Sequence, residues 1–137
     1  MAGKSDYLEA GLLNVFRGTL FPLAATGSVY IALHTEDPAD DGTGAEVGAG
    51  IGYARQEVTK AGGSWAAPSG EPALIDNAAA ITFGPATGDW TTVTHVAIRD
   101  ADTAGNLLYS GALTVSKAIG DGDSAEFAIG ALDLQES

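Results

Sequence analysis

The chain has 137 residues, 19 of them glycine and 25 alanine, and 18 Asp and Glu against 6 Lys and Arg give a formal net charge of −12. It has no cysteine, so a disulfide framework, a thiolate zinc site and a cysteine nucleophile are excluded. So acidic a chain lacks the clustered cations that displace counterions from nucleic acid, and no apolar run approaches the ~20 residues of a membrane span. At this length one domain is expected over residues 1–137, able to bury roughly 68% of its unfolded surface. The opening MAGKSDYLEA has no continuous apolar stretch and is not expected to act as a secretion signal.

A helix is predicted over about 6–17. Asp6 is placed to cap it, and Glu9 three residues later completes a capping box. Leu8, Leu12, Val15 and Phe16 then recur at i, i+4, i+7 and i+8, forming one apolar stripe. Gly18 is placed to stop the helix, and Arg17 suits the negative end of its dipole. Two readings are open for the stripe: a core-facing helix, or an arm that packs on a neighbouring subunit.

Past the helix the period changes from 3.6 to 2. Val29, Ile31 and Leu33 alternate with Tyr30, Ala32 and His34, as in a half-buried strand. Residues 36–52 carry five carboxylates among Gly, Ala and Pro without apolar periodicity, and read as a long acidic surface loop. Tyr53 to Thr59 reads as a second strand. Lys60 to Pro72 reads as a loop whose Trp65 tucks its indole onto the domain. Leu74 to Phe83 forms a third strand region, ended by Gly84 and Pro85. Thr92 to Asp100 is a strand with Thr94, Val96 and Ile98 on one face and Val93, His95, Ala97 and Arg99 on the other. Asp100 to Asn106 is a hairpin connection to a strand over Leu107 to Thr114. Asp121 to Asp123 is a turn, and Ser124 to Leu134 the last strand. About six strands with Gly/Asp turns indicate a mainly β fold: an antiparallel β-sandwich or jelly-roll-like barrel preceded by an amphipathic helix.

Each candidate for chemistry has a plainer reading. Glu36, Asp37, Asp40, Asp41 and Glu46 are hard oxygen ligands of the kind calcium takes, yet their spacing departs from an EF-hand loop, so a solvated loop is expected and no metal. His34 and His95 sit on strands, where hydrogen-bonded structural histidines are common, and no G-x-S-x-G elbow accompanies them. No G-x-x-x-x-G-K-[ST] loop is present, and Gly48, Gly50 and Gly52 precede a strand rather than a helix. With only 2 Trp, 4 Tyr and 4 Phe, a sugar-binding cleft is thinly supplied. The expectation is a non-enzymatic protein without cofactor.

A set of short blocks adds a resemblance. Lys4-Ser5-Asp6-Tyr7-Leu8-Glu9, Val29-Tyr30-Ile31-Ala32-Leu33-His34-Thr35, Gly52-Tyr53-Ala54-Arg55-Gln56, Ile81-Thr82-Phe83, Asp89-Trp90 with Thr92-Val93-Thr94-His95-Val96, and Gly105-Asn106-Leu107-Leu108-Tyr109 follow in order. Over nearly the whole chain this resembles a family of small virion structural proteins of tailed bacteriophages, often labelled tail fibre proteins. The resemblance implies a non-enzymatic part of the particle. Foremost it implies a capsid decoration (cement) protein on the outer surface of the head, binding the major capsid protein and itself as a homotrimer. The alternative is a tail component. On this reading Leu8, Leu12, Val15 and Phe16 bury against neighbouring subunits, with Trp65 a further interface candidate. Arg55 makes either a buried or interfacial ion pair or a salt bridge on a strand surface. The −12 charge keeps copies soluble and opposes contact with packaged DNA.

Overall fold

The computed structural model describes residues 2–19, 27–61 and 63–135. Along these run β1 (Gly3–Lys4), α1 (Asp6–Phe16), β2 (Ser28–His34), β3 (Gln56–Thr59), β4 (Leu74–Asp76), β5 (Ile81–Phe83), β6 (Thr91–Arg99), β7 (Leu107–Ile119), β8 (Ala125–Phe127) and β9 (Asp133–Gln135). The expected helix is present, but its cap is one residue earlier than Asp6. Ser5 has extended backbone, and its Oγ accepts from the Leu8 amide at 3.3 Å while donating to the Leu107 carbonyl. Serine fits this position because one hydroxyl can accept from the helix and donate to β7 at once, which an ionised carboxylate cannot do. Gly18 ends the helix as expected, with φ +80°. Its amide donates to Val15 and the Thr19 amide to Asn14, the paired closure that a left-handed residue makes possible.

Five strands form one antiparallel sheet in the order β1-β7-β6-β2-β3. Against it lies a two-stranded ribbon interrupted midway. The single strands expected over Leu74 to Phe83 and Ser124 to Leu134 each divide in two, so that β4 pairs with β9 and β5 with β8. The registers of the two halves differ by one residue. Asn77 occupies the break: its amide donates to the carbonyls of Ala79 and Ala128, and its Oδ1 accepts from the Leu132 amide. A buried side chain that satisfies three backbone groups stabilises a break that periodicity alone reads through. The architecture is therefore mainly β and antiparallel, consistent with a β-sandwich carrying one short N-terminal helix.

Val29, Ile31, Leu33, Val96, Ile98 and Leu108 from the sheet share one core with Ile81, Phe83 and Leu134 from the ribbon. Trp90 is buried at its centre, its indole N–H donating to the Ile51 carbonyl at 2.7 Å. Tyr53 stacks on Phe83 and meets Trp90 edge-on. Val93 joins this core, against the expectation that it faces away from Val96. The reason is an irregularity in the β6–β7 ladder: Val93 pairs with Lys117 and His95 with Ala112, so residues 113–116 stand opposite Thr94 alone. A bulge of this kind breaks the strict two-residue alternation. β7 also runs five residues beyond the expected end at Thr114.

The second face of the sheet is not left to solvent. Ala32, Ala97 and Leu107 form a small cluster there, beside buried His34 and Arg99. Residues 36–52 close over this face, which corrects the expectation of a purely solvated loop. Pro38 is buried and Gly42 lies directly against Leu107 and Arg99, while the Thr35 amide donates to Ala45 and the Val47 amide to Leu33, which turns Val47 into the main core. Gly44 passes so close to the Asp37–Pro38 backbone that an added Cβ would lie 1.9 Å from the Asp37 carbonyl oxygen.

Candidate interaction site

The α1 stripe divides after its first turn. Leu8 is packed in the core and Gly11 is also buried, so the helix is seated by its N-terminal half. Leu12 is 37% exposed, Val15 51% and Phe16 92%, and Leu13, which the sequence reading does not single out, is 67% exposed. Of the two readings for the helix, core-facing therefore applies only to Leu8. The remainder presents an apolar tip that is exposed in the single chain.

Arg55 and Trp65 are committed within the chain. Trp65 is half-buried against the core, beside Asn77. Arg55 lies just before β3 rather than within the strand expected over Tyr53 to Thr59. Its Nε and Nη2 fork onto the two Glu46 oxygens at 2.8 and 2.7 Å, and Nη1 donates to the carbonyls of Ala101 and Ala104, both at 2.8 Å. The Tyr53 hydroxyl donates to Glu46 Oε1 at 2.7 Å and accepts from the Leu33 amide at 3.0 Å. The pair is largely removed from water, with side chains 7% exposed for Arg55 and 23% for Glu46. Of the alternatives open at Arg55, the buried ion pair is the one that forms.

The electrostatics follow from that geometry. Burial by itself raises the Glu46 carboxyl, but hydrogen bonds from Arg55 and Tyr53 and the Arg55 charge outweigh it and leave Glu46 below the usual carboxylate range. Burial and the bond to Glu46 push the Tyr53 hydroxyl well above its ordinary value. Nearby, His34 Nδ1–H donates to the Gly44 carbonyl at 3.1 Å and Arg99 Nη2 to Gly42 at 2.9 Å, pinning the covering loop from below. Burial holds the His34 imidazole below its ordinary value, against the pull of Glu46. Together these side chains fasten residues 36–52 and the Asp100–Asn106 connection to the sheet.

The acidic loop uses its carboxylates locally. Asp37 accepts from the Ala39 amide, Asp41 from the amide and hydroxyl of Thr43, and Glu36 from the Ala45 amide. These are turn-forming contacts. Among the described residues no three His, Asp or Glu side chains converge as a metal site. The Tyr53–Glu46–Arg55 association is not visible in periodicity or motif. The clue available was the isolated cation itself, one of 6 in the chain, set nine residues after Glu46.

The geometry by itself assigns no class to these residues, and comparison with known proteins supplies one. Residues 3–135 match the family described as Podophage GP4 fiber I protein gp80. The chain belongs to this family. As a member of the gp80 fibre family it is a bacteriophage virion structural protein, which agrees with the resemblance carried by the sequence blocks. The match takes in α1, both layers of the sandwich and the Glu46–Arg55 pair, so the exposed helix tip lies within the family's own extent. No curated protein matches the chain.

Proposed function

We propose that this chain is a non-enzymatic structural subunit of the phage tail, built into or attached to the fibre apparatus. The observation that carries the reading is the family match over residues 3–135, whose description names a fibre protein. That description weighs toward the tail alternative and away from the capsid-decoration placement that the resemblance alone puts first. The exposed tip of α1 supports an assembly role, because apolar side chains clustered on a surface mark contact sites. The side chains with chemical potential serve the chain's own integrity: Glu46, Tyr53 and Arg55 bond to one another and to backbone. Gold-labelled antibody against the chain, viewed on purified virions by electron microscopy, tests the placement. Label at the tail is expected; label distributed over the head would replace this reading with the decoration protein.

A further inference from the structure

We propose that copies of this chain associate head to tail, the apolar tip of α1 on one copy entering a groove beside β7 on the next. The groove lies between β7 and β8 at the open side of the sandwich and has a volume of about 300 Å³. Leu33, Val96, Leu113, Val115, Ile119 and Phe127 are among its lining residues. It reaches the core, yet Val115 at its rim is 68% exposed. The bulge over residues 113–116 sets Leu113 and Val115 where a straight strand would not place them, and bulges commonly re-aim side chains in this way.

The second copy is the occupant for two reasons. First, the chain itself supplies the matching shape. Leu13, Val15 and Phe16 are exposed at the end of an 11-residue helix, and their own groove does not receive them. Second, the charges match. Arg17, one of only 6 cations, follows Phe16 directly, and the charged side chains lining the groove are two carboxylates, Glu126 and Asp133, against one cation, Lys117. In a chain of net charge −12 most surfaces repel a second copy, whereas here a cation is presented to a groove whose lining is negative by one charge. Because knob and groove are different patches, each copy keeps one of each free, so the contact extends into rings or open chains rather than closing as a symmetric pair. This contact is independent of head or tail placement, and it differs from the homotrimer implied by the resemblance only if the ring does not close at three.

Sedimentation velocity of the purified full chain over a concentration series tests it, with two variants at exposed positions. Phe16→Asp removes the knob, and Val115→Lys puts a cation at the groove that meets Arg17. Each variant alone is expected to stay monomeric, its association weakened at least about thirtyfold, as when a hot-spot side chain is lost. Mixed, the intact groove of the first and the intact knob of the second should restore a 1:1 complex that grows no further. Circular dichroism checks folding, and Ala131→Trp, which fills the groove from its lining, replaces Val115→Lys if that variant misfolds. A wild-type chain that remains monomeric throughout, association that survives either variant, or a mixture that fails to pair would each overturn the proposal.

Discussion

At the scale of single residues, Arg55 is the side chain whose loss matters most for reasons of charge. Removing it strands a carboxylate that is mostly out of water, and breaking a buried pair from one side costs about 3–5 kcal/mol. Glu46 keeps partial contact with solvent, so Arg55→Ala is expected near the low end, about 3 kcal/mol, read from urea unfolding. Arg55→Lys retains the charge but not the fork to two oxygens plus two carbonyls, and should fall between. Equal stability of Arg55→Ala and wild type would remove the pair from any structural role. His34 adds a pH dependence. Its value in the folded chain lies below the ordinary 6.5, so the unfolded chain takes up the proton first. Its contribution is fully present above about pH 6.5 and declines as pH falls through the folded value, by at most about 1.4 kcal/mol per pH unit for one proton. Unfolding measured from about pH 7.5 to about pH 5 should therefore show a steeper loss in wild type than in His34→Gln; identical slopes would contradict this.

At the scale of elements, α1 separates folding from contact along one stripe. Leu8→Ala empties a core position and is expected to cost about 3 kcal/mol. The double change Leu13→Ser with Phe16→Ser alters only exposed positions and should move stability by no more than about 0.5 kcal/mol per site. Urea midpoints of the two variants, taken at a concentration where wild type is monomeric, check the contrast, and a large loss in the double variant would mean that the tip packs on its own chain. Much of the element layout was legible. The stop at Gly18 and the connection at Asp100–Asn106 appear as read, and Val29, Ile31 and Leu33 share the core face, but β2 is not the half-buried strand expected, because Ala32 and His34 on its other face are buried as well. The breaks in the ribbon were not legible, because Asn77 in sequence looks like one polar residue in an apolar run, and its three backbone partners lie 2, 51 and 55 positions away.

At the scale of the molecule, one core joins both layers and the loop before β3. Trp90 touches these parts at once through its ring contact with Tyr53 and its bond to Ile51. Trp90→Ala is expected to cost about 4 kcal/mol, within the usual range for such truncations. Sheet and ribbon should still unfold together, since the core offers no plane of separation. Coincident transitions by circular dichroism and Tyr fluorescence check this; separate transitions would show that the ribbon is a unit of its own.

The sequence by itself determined the class of fold, the positions of most strands and turns and the exclusion of cysteine chemistry, and its short blocks carried the resemblance to phage virion proteins. These are matters of composition, local period and motif, which neighbouring residues express together. Only the tertiary structure decided which strands pair in which layer, that Glu46 and Arg55 meet beneath a folded loop, and where along α1 the stripe leaves the core. Those outcomes depend on contacts between distant parts of the chain. A helix stripe looks the same in sequence whether its far end is covered by its own domain or left for another surface.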